Sequence, residues 1–272
     1  MVRAVTAAAL RSPSSADDAA SRHIDASDGT PEWRWAQCRR LQALPEMAAG
    51  ALVPEGGRVV VVAPHPDDEI LAAGGLLSLA AALGRPAMLV AVTDGTASHP
   101  GSTRWPAARL QAERPQESLA ALTALGVQPQ ALIRLGLPDG GLREAEDDLA
   151  RQLQPLLYPS DVVLTTWRLD GHPDHEATGR ATVQAAAAAG ARWLEAAVWA
   201  WHWAQPGDER LPWNRAFRLP LPAAVVQRKQ AAMAAFASQI QPDPSTGAAP
   251  VLRQSTLARA GRPFEVFFDA AP

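Results

Sequence analysis

A run of β-branched residues in the first third of the chain limits its fold class more than any other feature. The segment RVVVVAPH, residues 58–65, is almost entirely apolar, and DEILAAGGLLSLAAALG after it has a helical composition that ends in glycine. Such a run is typical of a strand covered on both faces, as in parallel sheets. The two segments therefore predict a buried strand, a tight turn and a helix.

The same alternation continues along the chain. Further strands are predicted at 86–95, 131–140 and 161–167, with helices up to about Leu125, near 144–157 and in HEATGRATVQAAAAAG. The segments ARWLEAAVWAWHW and RPFEVFF predict two more strands, with a helix in PAAVVQRKQAAMAAFASQ between them. Strands separated by helices favour a parallel sheet with right-handed crossovers. The predicted fold class is α/β, a Rossmann-like three-layer sandwich with a mostly parallel sheet.

We divide the chain into a leader, residues 1–50, and one domain, residues 51–272. The first 30 or so residues are rich in Ala, Ser and Asp without a consistent period, which is typical of a loosely ordered segment. A short helix is predicted in PEWRWAQCRRLQALPEMAA, before the domain begins. We find neither an internal repeat nor a linker within the domain.

Composition excludes several classes of function. The formal net charge of -3 provides no basic field for binding nucleic acid. Cys38 is the only cysteine, which rules out an internal disulfide and favours a reducing compartment, and Lys229 is the only lysine, which rules out a phosphate-binding G-x-x-x-x-G-K-[ST] loop. No segment approaches the roughly 20 apolar residues of a membrane helix. We expect a soluble, cytoplasmic protein without membrane insertion.

Four polar loops follow the predicted strands, and they carry four of the six histidines: His65, His99, His172 and His175. Ligands of open α/β sheets bind beyond the carboxyl ends of the strands, where these loops meet. We therefore place the functional site at the carboxyl ends of the strands.

Imidazole and carboxylate groups are the ligands that Zn²⁺ accepts when cysteine is absent, and a catalytic zinc takes three of them. His65, Asp68 and His175 can supply such a set. Asp67 is then a spare carboxylate beside the metal, suited to take a proton from bound water. His172 remains as a proton donor or cation for the developing oxyanion, and Asp174 as the residue that holds its imidazole.

The chain resembles the zinc-dependent N-acetylglucosaminyl deacetylases of the LmbE and PIG-L type. Three motifs carry the resemblance: APHPDDE at 63–69, TDG at 93–95 and GHPDHEATGRA at 171–181. The similarity covers roughly residues 58–185 and is looser towards the carboxyl terminus. It departs from the family pattern at Pro64, where an alanine is usual.

The resemblance implies a role for each matched residue. It makes His65, Asp68 and His175 the ligands of one zinc ion, Asp67 the general base and His172 the acid or oxyanion stabiliser. It also implies that three residues lie near the sugar: Glu69, Asp94 and Arg114. The implied partner is a small amino-sugar conjugate, and the implied reaction is removal of its N-acetyl or other N-acyl group by metal-activated water.

Two other classes of function are compatible with the motifs. Two histidines and one carboxylate also form the facial triad of non-haem Fe(II) oxygenases, although Asp67 would then have no role. A non-catalytic sugar-binding protein on the same fold would need neither Asp67 nor His172. The sequence leaves open the physiological divalent metal, the acyl group, the aglycone and whether the chain forms a homo-oligomer. The tryptophans of residues 193–213 are predicted mainly to pack in the core, with one or two of them left as candidates to line the acceptor side of the pocket.

Overall fold

A single mixed sheet forms the centre of the structure. The computed structural model describes residues 22–269, and within them the sheet has seven strands in the order β3-β2-β1-β4-β5-β7-β6. Strands β1 to β5 are parallel, and β7 is antiparallel to both of its neighbours. The strands are β1 (Arg58–Ala63), β2 (Ala87–Thr93), β3 (Ala131–Leu137), β4 (Asp161–Thr166), β5 (Arg192–Ala196), β6 (Ala216–Pro220) and β7 (Phe264–Asp269).

Helices cover both faces of this sheet. Helices α4, α5 and α9 lie on one face, and α6 and α7 lie on the other. This arrangement confirms the predicted three-layer α/β fold. The helices are α1 (Glu32–Ala36), α2 (Arg39–Gln42), α3 (Ala49–Leu52), α4 (Asp68–Ala82), α5 (Ala107–Leu125), α6 (Glu146–Leu153), α7 (Pro173–Ala189), α8 (Ala200–Trp203), α9 (Ala223–Met233), α10 (Ala237–Ile240) and α11 (Gln254–Ala260).

The valine run of β1 shows why the sheet is covered twice. Val59 and Val61 belong to the hydrophobic cluster on one face, and Val60 and Val62 belong to the cluster on the other. Successive side chains of a strand point to opposite faces, so only a strand covered on both sides makes every position apolar. All four side chains are at most 1% exposed.

The chain reverses its direction of travel across the sheet at β1. It passes from β1 outward to β2 and β3, and then returns to form β4 on the other side of β1. The loops that follow β1 and β4 therefore leave the sheet in opposite directions and open a crevice between them. Ligands of this class of fold bind in that crevice. HPDDE, 65–69, follows β1, and LDGHPDH, 169–175, follows β4.

The carboxyl-terminal part differs from the prediction. The strand predicted over ARWLEAAVWAWHW ends at Ala196, the chain then forms α8, and β6 was not predicted at all. The tryptophans alternate with other residues at the two-residue period of a strand, which explains the prediction. The backbone nevertheless leaves the sheet after β5, where the buried carboxylate of Asp170 accepts hydrogen bonds from three consecutive amides. Trp201 packs in a core cluster with its ring edge on Trp35, 5.0 Å between centroids, which agrees with a packing role.

The segment before β1 lies along the outer edge of the sheet. Two short helices, α1 and α2, stand where one was predicted. Trp35 is fully buried, and the amides of Met47 and Arg218 exchange hydrogen bonds with carbonyls on the opposite segment. Residues 1–21 of the proposed leader lie outside the described residues, and the division near residue 50 stays a prediction. No helix in the part of the chain that the structure describes is long and apolar enough to span a membrane.

Candidate metal centre and active site

The turn between β1 and α4 has an unusual backbone. Asp67 has φ 133° and ψ −31°, and it is the only non-glycine residue of the described chain with a positive φ. Its amide donates to Glu69 Oε2 at 2.9 Å, and its carbonyl accepts from the amides of Ile70 and Leu71. Such a conformation costs about 1–3 kcal/mol and persists only where neighbouring contacts enforce it. Here those contacts hold the carboxylate of Asp67 inside a cavity.

The three predicted metal ligands lie together. One oxygen of Asp68, Oδ2, is 3.3 Å from Nδ1 of His65 and 3.2 Å from Nε2 of His175. Two ligand atoms that each lie about 2.1 Å from a tetrahedral Zn²⁺ are roughly 3.4 Å apart. The distances from Asp68 Oδ2 to the two histidine nitrogens therefore match the distance between neighbouring ligands of one metal ion. Asp68 and His175 are almost fully buried. The donor set therefore fits a divalent cation of the zinc type.

The ionisation of these groups reflects their mutual attraction. Burial acts to raise the pKa of Asp68, but the neighbouring His175 and His65 outweigh burial and lower that pKa. Burial acts to lower the pKa of His175, but Asp68 and Asp170 raise it to about 9. The buried Asp68 carboxylate thus requires positive charge beside it. Protonation of the two imidazoles can supply that charge, and so can one divalent cation.

Asp170 is a site residue that the sequence analysis missed. Its carboxylate is fully buried, and Oδ2 lies 2.8 Å from Nδ1 of His175. The carboxylate also accepts from the amides of Val198, Trp199 and Ala200 at 2.8–3.0 Å. An imidazole that donates from Nδ1 keeps the lone pair of Nε2 free for a metal. The only signal was an Asp-Gly pair in LDGHPDH, which is also ordinary turn chemistry.

The second nitrogen of His65 contacts two more carboxylates. Nε2 of His65 is 3.1 Å from Asp139 Oδ1 and 3.2 Å from Asp174 Oδ2. Asp174 also accepts from the amides of Gly140 and Leu142. Its carboxylate thus contacts His65 and not the imidazole of His172, which it was predicted to hold. Asp139 was not among the predicted site residues.

His172 lies above the other two imidazoles. Its ring centroid is 4.9 Å from that of His175 and 5.0 Å from that of His65, and nitrogens of the three rings lie within 4.8 Å of one another. Burial, together with the positive charge of the two neighbouring imidazoles, lowers the pKa of His172 to about 3. Nδ1 of His172 accepts from the amide of Asp174 at 3.3 Å. A neutral His172 ring therefore carries its proton on Nε2.

Arg114 connects two of the predicted loops with Asp67. Its guanidinium donates to Asp67 Oδ2 at 3.1 Å and to the carbonyls of Pro66 and Gly95. Burial raises the pKa of Asp67 to about 8, although the charge of Arg114 acts in the opposite direction. A carboxyl group whose pKa lies near the working pH is suited both to take up a proton and to give it back. Asp67 therefore has the environment of a general base.

One cavity of about 300 Å³, a size within the range of small-molecule sites, is lined by most of these groups: His65, Asp67, Asp68, Arg114, Asp139, His172 and His175. Of the three residues predicted near a sugar, Arg114 lines this cavity. Glu69 is almost fully buried and accepts from the amide of Asp67, while Asp94 pairs with Arg134 at 2.7 Å, and neither lines the cavity. His99, expected to sit in a loop, does not line it either.

Residues 60–186 match a protein-family model described as PIG-L: GlcNAc-PI de-N-acetylase. The chain is also 34% identical over 136 residues to a probable N-acetyl-alpha-D-glucosaminyl L-malate deacetylase 2 of Bacillus cereus. That match covers 47% of this chain and 60% of the relative, so the chain spans less than two thirds of the relative's length. Residues 60–186, matched by the family model, include both histidine-bearing loops.

Solved structures share the fold. The conserved protein TT1542 from Thermus thermophilus is 28% identical, with a TM-score of 0.55 over 79% of this chain and 94% of that one. N,N'-diacetylchitobiose deacetylase from Pyrococcus horikoshii is 20% identical, with a TM-score of 0.52 over 67% of this chain and 70% of that one. Teicoplanin deacetylase Orf2 is 17% identical, with a TM-score of 0.57 over 78% and 97% respectively. Residues 60–186 are therefore similar to the PIG-L family, and the fold of the chain agrees with that similarity.

Proposed function

We propose that the protein is a metal-dependent hydrolase that removes an N-acetyl or other N-acyl group from an N-acetylglucosaminyl-type conjugate. The observation that carries this proposal is the placement of a strained, buried Asp67 beside a group of two imidazoles and one carboxylate. The family match and the name of the Bacillus cereus relative support the same reaction and the same class of substrate.

In this proposal His65, Asp68 and His175 hold one zinc ion or another divalent cation. Such a cation, when bound, acts as a Lewis acid that polarises the amide carbonyl and lowers the pKa of water. Asp170 keeps the proton of His175 on Nδ1, and Asp139 and Asp174 bond to Nε2 of His65, so that Nδ1 of His65 faces Asp68. These outer carboxylates orient the donor atoms towards one point.

Asp67 then accepts a proton from the water that attacks the amide carbon, and it passes a proton to the departing amine. Arg114 orients the Asp67 carboxylate through its guanidinium. His172 is neutral, with its proton on Nε2, so it donates a hydrogen bond to the oxyanion as charge develops there. We assign His172 the role of oxyanion stabiliser, which was one of the two roles that the sequence left open.

Two alternatives make different use of these residues. A facial-triad oxygenase would bind Fe(II) with the same histidines, but it would give no role to a general base at Asp67. A sugar-binding protein would need no strained base in its cavity. The fold itself does not decide the reaction, because it is shared with the 4-carboxy-2-hydroxymuconate hydratase GalB of Pseudomonas putida, 16% identical with a TM-score of 0.53.

The test is mass-spectrometric detection of acetyl loss from N-acetylglucosamine conjugates, with protein stripped by a chelator and then supplied with Zn²⁺. Asp67→Asn is expected to retain the metal and lose most turnover, whereas His175→Ala is expected to lose the metal. Asp147→Asn, which changes an exposed carboxylate on α6 outside the cavity, is the control and should do neither. Ferrous dependence with oxygen uptake would support the oxygenase, and equal metal loss in both site variants would refute the assigned roles.

A further inference from the structure

An apolar wall borders the same cavity as the candidate metal centre. We define this wall as the side chains of Leu71, Val198, Trp199, Val251 and Leu252. Three separate parts of the chain contribute to it: helix α4, the segment after β5 and the segment between α10 and α11. Apolar side chains at a water-accessible cavity cost solvation free energy unless a ligand covers them. Leu71, Val198 and Leu252 belong to the main hydrophobic core cluster, and Trp199 packs against it, so the wall is an edge of the core that opens onto the cavity.

The apolar wall is connected directly to the catalytic groups. The amides of Val198 and Trp199 bond to Asp170, the carboxylate that also holds His175. The amide of Leu71 donates to the carbonyl of Asp67 at 2.9 Å. These bonds fix the distance between the wall and the reacting atoms. A group seated on the wall would therefore hold an attached amide in one position relative to Asp67.

The charges of the cavity disfavour an anionic ligand group. Among the described residues that line the cavity, Arg114 is the only cationic side chain apart from the histidines. Its two terminal nitrogens donate to Asp67 and to two carbonyls, and its Nε is buried. Asp67, Asp68 and Asp139 line the cavity as well. A carboxylate or phosphate of the ligand would lose its hydration in this cavity. Apart from a metal ion held by the imidazoles, it would find no unpaired cation among the described lining residues to compensate for that loss.

We propose that the part of the substrate beyond the amino sugar is an uncharged apolar group, aryl or alkyl, and that it binds to the apolar wall. This inference rests on the proposed function, because it concerns the aglycone of the same substrate. It distinguishes the chain from its Bacillus cereus relative, whose name describes a malate conjugate, which carries carboxylates. Since hydrophobic contacts discriminate by about 10–200-fold per group, we expect a preference of at least tenfold in kcat/KM.

The experiment compares four N-acetylated substrates with the zinc-supplied full chain: phenyl and octyl N-acetylglucosaminides, N-acetylglucosaminyl malate and free N-acetylglucosamine. Release of the amine is measured for each. Trp199→Ala is expected to lower kcat/KM for the phenyl and octyl substrates towards that of the free sugar. Val251→Lys, at a half-buried position, is expected to lower the same values and to raise kcat/KM for the malate conjugate. Leu119→Lys, an exposed position on α5 outside the cavity, is the control and should change none of them.

The outcomes separate the two proposals. Acetyl loss from none of the substrates would overturn the proposed function, and this inference with it. Turnover of the malate conjugate as fast as that of the phenyl substrate would overturn the inference alone. The inference alone would also be overturned if both Trp199→Ala and Val251→Lys kept the native preference for the phenyl and octyl substrates. A matched series of N-hexanoyl substrates tests whether the acyl chain binds to the wall instead. If replacing acetyl by hexanoyl raised kcat/KM more than adding the phenyl or octyl aglycone does, the assignment of the wall to the aglycone would be overturned.

Discussion

Asp170→Asn is the most informative perturbation of this site, because one carboxylate contacts both His175 of the candidate metal centre and the backbone of the apolar wall. Its two oxygens accept four hydrogen bonds: Oδ1 from the amides of Val198 and Ala200, and Oδ2 from the amide of Trp199 and Nδ1 of His175. An asparagine side chain replaces one of these oxygens with an amino group that cannot accept. Whichever way the amide turns, two of the four donors lose their acceptor.

The size of the effect follows from this count. Hydrogen bonds to a charged group contribute about 1.5–3 kcal/mol each, so losing two lowers the free energy of unfolding by about 3–6 kcal/mol. If the amino group faces His175, the imidazole must move its proton to Nε2, which then cannot bind a metal. Removing such an outer partner lowers metal affinity by about 10–100-fold. Both losses are expected in the same variant.

The assay is chelator competition for metal affinity, with urea unfolding followed by circular dichroism. The matched control is Asp161→Asn, which changes another buried carboxylate, paired with Arg58 at 2.7 Å at the opposite, amino-terminal end of β4. Asp161→Asn should lower the free energy of unfolding and leave metal affinity unchanged. If Asp170→Asn bound metal as tightly as the native protein, the role given to Asp170 would be wrong.

Two further substitutions test other parts of the structure. Lys229→Met removes the cationic partner, at 2.6 Å, of the buried Glu265, which keeps only the amides of Gly75 and Leu76. The free energy of unfolding in urea should fall by about 3–5 kcal/mol, and adding Glu265→Gln should restore much of it; a loss below about 1 kcal/mol would contradict this. Gly95→Ala places a Cβ on the guanidinium of Arg114 and should lower kcat by about 100-fold with metal retained. Gly84→Ala, with a similar φ but open space, controls for backbone strain, and equal turnover in the two variants would refute the steric argument.

Local patterns were sufficient to predict the part of the fold around the site. The valine run of β1 requires cover on both faces, and HPDDE and GHPDHEATGRA follow strands at the point where the sheet order reverses. The proximity of His65, Asp68 and His175 follows from that topology together with the resemblance. The assignment of metal ligation and catalysis to these residues stays a proposal.

Contacts between residues distant in sequence were not predictable in the same way. Asp170 binds amides 28 to 30 residues away, and Arg114 reaches Asp67 across 47 residues. An Asp-Gly pair or an arginine within a helix has the same local signature whether it is buried or exposed. Glu69 and Asp94 show the opposite case, since adjacency in a motif did not bring them to the cavity.

The sequence by itself therefore determined the strand and helix alternation, the sheet class and the two histidine-bearing loops, because these depend on periodicity and on connections between neighbouring elements. Only the tertiary structure decided which carboxylate orients which imidazole, where the chain turns after β5 and which apolar side chains line the cavity. Those features depend on hydrogen bonds and burial between distant segments. Their free energy is set by the surroundings that the complete fold creates, and no local pattern encodes it.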